Sequence, residues 1–166
     1  PPACDAAPGP ARVPLHGATP PGGAVATPDS ELVTTLEMAA SMPGIWAVTT
    51  GERWHARHGH GVALCLASFR PVDDRIVTGG MAKCIVSNAR TGKQIRVLEG
   101  FSGYTSSCRF STDGRSVLTG SSDNMCRVWN AGTGDLITTL QGHTGRIRDV
   151  RFSPDGRYVI FAYQPY

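Results

Sequence analysis

Residues 100–141 read GFSGYTSSCRFSTDGRSVLTGSSDNMCRVWNAGTGDLITTLQ. Alternating apolar residues bounded by turn formers divide this stretch into four short strands. The first is expected over residues 106–110, with Cys108 and Phe110 on one face. Ser111-Thr112-Asp113-Gly114 then makes a hairpin turn, in which the glycine supplies the positive φ without a Cβ clash. A second strand follows over 116–120, a turn at Ser121-Ser122-Asp123-Asn124, and a third strand over 125–129 with Cys126 and Val128 on one face. The turn at 130–134 leads to a fourth strand over 136–140.

The same unit recurs outward from this stretch. Thr50-Gly51, Thr91-Gly92 and Thr133-Gly134 are spaced 41 and 42 residues apart, as are Gly59, Gly100 and Gly142, and Phe69, Phe110 and Phe152. Three landmarks in phase define a repeat, and a repeat of this length is one supersecondary unit that buries its apolar faces only by stacking. Upstream, residues 62–69, 75–78, 84–87 and 94–98 form a comparable set of strands, and 146–152 with 158 onward begin another. Ile45-Trp46 ahead of Gly51, and Thr27-Pro28-Asp29-Ser30 matching Ser153-Pro154-Asp155-Gly156, extend a degraded unit back to about residue 24. An immunoglobulin-like sandwich also has frequent turns, but it has no reason to repeat four strands at a fixed period. No segment carries a helical period.

The chain has 166 residues, 40% of them apolar, with a net charge of +3, which is enough for a packed core and too little to imply nucleic acid by itself. No apolar run approaches the ~20 residues a membrane helix needs. Residues 1–23 hold seven of the twelve prolines and read as an irregular segment. The sequence opens Pro1-Pro2 with no signal pattern and reads as a segment of something longer. Cys4, Cys65, Cys84, Cys108 and Cys126 are odd in number and include no CxxC pair. They read as small buried hydrophobes in a reducing compartment, the cytoplasm or nucleus, rather than as disulfides or zinc ligands.

Several motifs taken together resemble the WD-repeat β-propeller family: Gly59-His60 and Gly142-His143 opening units, Phe152-Ser153-Pro154-Asp155-Gly156 at a first hairpin, Thr119-Gly120-Ser121-Ser122-Asp123 after a second strand, and Val128-Trp129-Asn130 where the family has Trp-Asp. The resemblance implies an all-β fold, a partial propeller of four-stranded antiparallel blades over 24–166, with blades at about 24–58, 59–99, 100–141 and an incomplete 142–166. It also implies a buried polar network of His, Ser or Thr, Trp and Asp in each blade. His60, Thr119, Asp123, Trp129, His143, Asp155 and Gly156 stand at those motif positions, but no blade has the full set. Phe101 takes the His place in the third blade, while Ser87 takes the Trp place and Ala82 the Asp place in the second. The blades are therefore expected to rest on apolar packing. About three and a half blades leave a bare sheet edge, an association liability that further blades, from the same chain or another copy, would cover.

In the family the narrow top of the propeller carries partners. Transferred residue by residue, that surface is Tyr104, Ser106 and Ser122 on the third blade, Arg146 and Arg148 on the fourth, and Ala63 and Cys65 on the second. A tyrosine beside two arginines has the composition of an interface hot spot, and the arginines favour an acidic or phosphorylated peptide, or less readily a nucleic-acid backbone. Other groups carry less chemistry. His55, His58 and His60 lack a carboxylate or cysteine to complete a metal set, so no metal is expected. Asp73-Asp74 reads as a solvated turn. No catalytic motif and no cofactor signature appears. The expected function is a non-catalytic scaffold or adaptor that binds other proteins. Two rivals are a ribonucleoprotein or RNA-binding component, suggested by Arg146, Arg148, Arg151 and Arg157, and a quinoprotein-type propeller enzyme, suggested by Thr50-Gly51-Glu52-Arg53-Trp54.

Overall fold

Alternation of apolar residues on both strand faces builds stacked sheets in the computed structural model, which describes residues 24–26, 32–35, 44–48, 50, 52–55, 60 and 66–164. Residues 1–23, the 27–30 match, Ala63 and Cys65 lie outside them. Every regular element among the described residues is a strand. Strands β1 (Ala24–Ala26), β2 (Leu32–Thr35), β3 (Gly44–Ala47) and β4 (Arg53–His55) form one antiparallel sheet in chain order. Strands β5 (Leu66–Phe69), β6 (Arg75–Gly79), β7 (Met81–Asn88), β8 (Gln94–Phe110), β9 (Ser116–Ser121), β10 (Cys126–Asn130) and β11 (Leu136–Leu140) form a continuous seven-stranded ladder. Strands β12 (Arg146–Phe152) and β13 (Val159–Gln164) form a final pair.

The seven-stranded ladder is two blades joined by one strand. Separate strands were expected at 94–98 and 106–110; instead β8 runs unbroken for 17 residues. Its first half is the outer strand of the second blade, pairing Lys83 with Glu99 and Ser87 with Gln94. Its second half is the inner strand of the third, pairing Thr105 with Ser121 and Phe110 with Val117. Gly100, at φ +111°, lies in the region that side chains disfavour, and allows the chain to leave one blade and enter the next without ending the strand.

Neighbouring residues on a strand face opposite ways, so each inner sheet supplies two apolar seams. Ile76 joins Leu32, Ile45, Ala47, Ala67, Phe69 and Ala89 between the first two blades. Its neighbour Val77 instead joins Cys84, Val86, Leu98, Phe101, Cys108, Phe110, Val117, Trp129 and Ala131 between the second and third. In the same way Val117 faces that seam, while Leu118 faces Cys126, Ile147 and Val150 between the third and fourth. This is the arrangement of stacked propeller wedges, with β12 lying against β8 and β9. A side chain on Gly120 would come within 2.6 Å of Ile147 and 2.9 Å of Val150, so this close approach needs a glycine.

The first hairpin of each later blade uses one device. In the third blade the Ser111 hydroxyl donates to Asp113 at 2.6 Å, Asp113 accepts from the Arg115 amide at 3.0 Å, and Gly114 takes φ +68°. In the fourth, Ser153 donates to Asp155, Asp155 accepts from the Arg157 amide at 3.1 Å, and Gly156 takes φ +70°. The serine hydroxyls and then the backbone amides hold both carboxyls below the usual carboxylate range. In the second blade Asp73 and Asp74 occupy the equivalent turn. They are ion-paired rather than merely solvated, Asp73 with Arg70 at 2.6 Å and Asp74 with Arg90 at 2.6 Å.

Candidate interaction surface

A threonine on the second strand of each of the first three blades organises the polar interior. Thr34, Thr78 and Thr119 are all buried, and each hydroxyl donates to a carbonyl on the neighbouring strand, at Gly44, Ile85 and Arg127 respectively. Because its proton is committed, each hydroxyl can accept one further donor. In the second blade that donor is His60, whose Nε2 lies 2.8 Å from Thr78. In the third blade it is Trp129, whose indole N–H donates to Thr119 at 2.9 Å. The blades thus hold complementary halves of the network: His60 without a tryptophan in one, Trp129 without a histidine in the other. Phe101, in the histidine's place, packs on Trp129 with ring centroids 5.5 Å apart.

Asp123 also has a partner that the sequence did not reveal. Arg127 pairs with it at 2.9 Å, and the two side chains are only 8% and 7% exposed. The Arg127 guanidinium lies 5.1 Å over the Phe101 ring. Asp123 additionally accepts from the amides of Ser102 and Met125, both at 3.1 Å. The arginine therefore satisfies the carboxylate where a histidine relay would otherwise end. His143 packs edge-on against Phe161 at 4.0 Å and beside Tyr163 at 5.4 Å.

His60 donates from Nε2, so its neutral ring carries a lone pair on Nδ1, which is buried without a hydrogen-bond partner among the described residues. Burial, with the Lys83 charge second, lowers its pKa from 6.5 to about 4. The unfolded chain therefore takes up a proton in this window that the folded chain refuses, and stability falls as pH drops. Unfolding free energy is expected to decrease by on the order of 1–2 kcal/mol between pH 6.5 and 4, after discounting for partial solvent access. Chemical denaturation across pH should show that slope, and His60→Gln should flatten it. An unchanged slope in the variant would assign it to other groups. Asp113, Asp149 and Asp155 act separately, since lowered carboxyl pKa values cost stability only below the ordinary carboxylate range.

At the end of the sheet where β8 crosses between blades, Tyr104 and Ser122 are locked together. The Tyr104 amide donates to the Ser122 hydroxyl at 3.1 Å, the Ser122 amide donates back to the Tyr104 carbonyl at 3.0 Å, and the Ser121 hydroxyl donates to that carbonyl at 3.2 Å. Tyr104 is also the cross-strand partner of Met81, which is 58% exposed. Sequence reasoning missed Met81, although it stands 41 residues before Ser122, one repeat step back. Ser106 is half-buried, and its hydroxyl lacks a partner among the described residues.

Arg146 and Arg148 are exposed on β12, and Arg148 falls in a bulge between Ile147 and Asp149. The Arg148 guanidinium donates to Gln164 at 2.9 Å, which fixes it across the β12–β13 hairpin. Nothing joins Arg148 to Tyr104 directly. The two blades are instead tied by Asp149, which accepts from the Ser107 hydroxyl at 2.7 Å and pairs with Arg151 at 3.1 Å and Arg109 at 3.9 Å. Burial opposes ionisation of Asp149, but the bonds from Ser107 and Arg151 and the charges of both arginines prevail and lower its pKa.

The family model for the WD domain, G-beta repeat, matches residues 92–130 and 134–162. Each match takes the outer strand of one blade and the leading strands of the next, β8 to β10 and then β11 to β13. Among solved structures, the RRP9 WD40 repeats and U3-55K each resemble the chain with a TM-score of 0.71 at 18% identity over 76% of its length. At that identity the likeness is one of fold, and the chain spans only 40% and 41% of those two proteins. No curated protein sequence matches it. Repeat matches, wedge-on-wedge seams and solved WD40 neighbours agree: the chain carries WD repeats at residues 92–130 and 134–162 and has the fold of a partial WD-repeat β-propeller.

Proposed function

We propose that this chain is a non-catalytic interaction scaffold, and that the end of the sheets carrying Tyr104, Ser122, Met81, Arg146 and Arg148 is the surface it offers to a partner protein. WD40 repeats are in general protein-interaction scaffolds. The observation that carries the reading is the reciprocal bonding of Tyr104 with Ser121 and Ser122 beside exposed Met81. A rigid aromatic and a flexible thioether side chain held on hydrogen-bonded backbone make an anchor pair with little ordering cost on binding. Arg148, held on the neighbouring blade by Gln164, adds a charge suited to an acidic or phosphorylated segment. Such a scaffold acts in the cytosol or nucleus, with further blades supplied by the same chain or another copy.

Capture of partners by the intact protein tests this reading. Tyr104→Ala and Met81→Ala should each reduce recovery of specific partners about tenfold or more, with Arg148→Ala weakening those that are acidic. Undiminished capture by all three variants would remove this end as the contact. A second reading, an RNA-binding or ribonucleoprotein component, is favoured by Arg146, Arg148 and Arg151 being exposed along one strand. It requires affinity for RNA that falls steeply with salt and with Arg148→Ala.

A further inference from the structure

The opposite end of the second blade holds a second polar site. An open groove of about 530 Å³ is lined by Arg75, Asn88, Lys93, Gln94 and Arg96, with Thr91 and Ile95 completing its wall. The strand register explains it. Val77, Val86 and Arg96 share one face across β6, β7 and β8, because Val77 pairs with Val86 and Val86 with Arg96. The two valines belong to the apolar seam against the third blade. The seam thus ends in a polar pair, Arg75 opposite Asn88, with Gln94 beside it at the bulge of β8. Arg96 bridges the mouth, donating from Nε to the Gly132 carbonyl of the third blade at 3.0 Å and from NH1 to its neighbour Ile95 at 2.6 Å. Its side chain is further held by close packing on Gly134, 3.3 Å from where a Cβ would stand.

The charge here is unbalanced. This end of the blade carries Arg70, Arg75, Arg90, Lys93 and Arg96 against Asp73 and Asp74. Asp73 is shared by Arg70 and Arg75, and Asp74 is taken by Arg90. Lys93 is exposed and has no acidic partner among the described residues, and no carboxylate lines the groove. A fixed guanidinium beside an unpaired ammonium, with amide side chains between them, is the donor set for a carboxylate or phosphate on a polypeptide. No aromatic ring lines the groove, so it lacks the stacking platform on which single-stranded nucleic acid depends.

We propose that this groove binds an extended acidic peptide segment, with a carboxylate or phosphate seated between Lys93 and Arg96. The site lies at the other end of the blade from Tyr104 and stands or falls independently of it. The test is a fluorescence-polarisation titration of the whole protein with a short glutamate-rich peptide, the same peptide carrying one phosphoserine, and a single-stranded RNA. At least one peptide is expected to bind more tightly than the RNA, and the preferred peptide tells which anion the groove selects. Lys93→Glu, at an exposed unpaired position, should weaken peptide binding about tenfold, and Lys93→Arg should retain it. Binding of neither peptide, tighter binding of RNA, or indifference to Lys93→Glu would each overturn the proposal.

Discussion

Replacing Arg127 by alanine is expected to destabilise the protein by about 3–5 kcal/mol, the cost of leaving a buried charge without its partner. Arg127 and Asp123 are 8% and 7% exposed at their side chains, and their 2.9 Å contact supplies the opposite charge inside the third blade. Asp123 would keep the Ser102 and Met125 amides, which soften the loss but do not neutralise the carboxylate. The variant also removes the guanidinium from the Phe101 ring and from the Met125 sulfur at 3.4 Å. A conservative pair of substitutions separates charge from packing. Arg127→Met keeps the stem but leaves the carboxylate bare, and it should be nearly as damaging as alanine. Adding Asp123→Asn should recover part of the loss, because the remaining side chain is uncharged. Denaturant midpoints of the four proteins measure this directly. A loss of under about 1 kcal/mol for Arg127→Ala would mean that the pair behaves as a surface ion pair.

Trp129→Ala should cost a comparable 3–5 kcal/mol, here through packing. The indole is 3% exposed and sits in the seam between the second and third blades with Val77, Val86, Leu98 and Phe110. Truncation removes the Phe101 stacking partner and opens a cavity between wedges that cannot close without moving a whole blade. Trp129→Phe isolates the hydrogen bond to Thr119: most packing is kept, and about 1 kcal/mol should be lost. If alanine and phenylalanine proved equally mild, the seam would be loosely packed, and the tryptophan would not be a keystone of the third blade.

The strands and turns were largely legible in the sequence because their signals are local. The Asp-Gly turns at 113–114 and 155–156 and the short apolar run Val117-Leu118 between two turns fix those hairpins from a few residues, and the expected fourth strand of the third blade, 136–140, is β11 itself. The continuous β8 was not legible. Gly100 and Phe101 look like a break, whereas the chain stays extended there while its hydrogen-bond partners change from β7 to β9. Arg127 was missed because it lies on the face of its strand opposite Cys126 and Val128, with no local signal for a partner. That face, shared with Thr119 and Trp129, is an interior because the second blade packs on it, and Phe101 and the turn holding Asp123 close over the arginine. Apolar seams hold the blades together, and part of the polar network persists beside them, since Thr78 and Thr119 each retain one donor and Asp123 finds an arginine. The Asp149–Ser107 tie and the Lys93–Arg96 groove depend on one blade's position against the next, which period alone does not specify.

The central claim is that adjacent residues on a blade strand face different neighbours because the sheets stack as radial wedges. Methyl nuclear Overhauser contacts from Val117 and Leu118 test it most directly. Val117 should show contacts only to methyls of its own seam, such as Val77, Val86 or Leu98, and Leu118 only to methyls of the other, such as Val128, Ile147 or Val150. Contacts from both residues to one shared set of methyls, as a single barrel interior or a two-sheet sandwich would give, would contradict it.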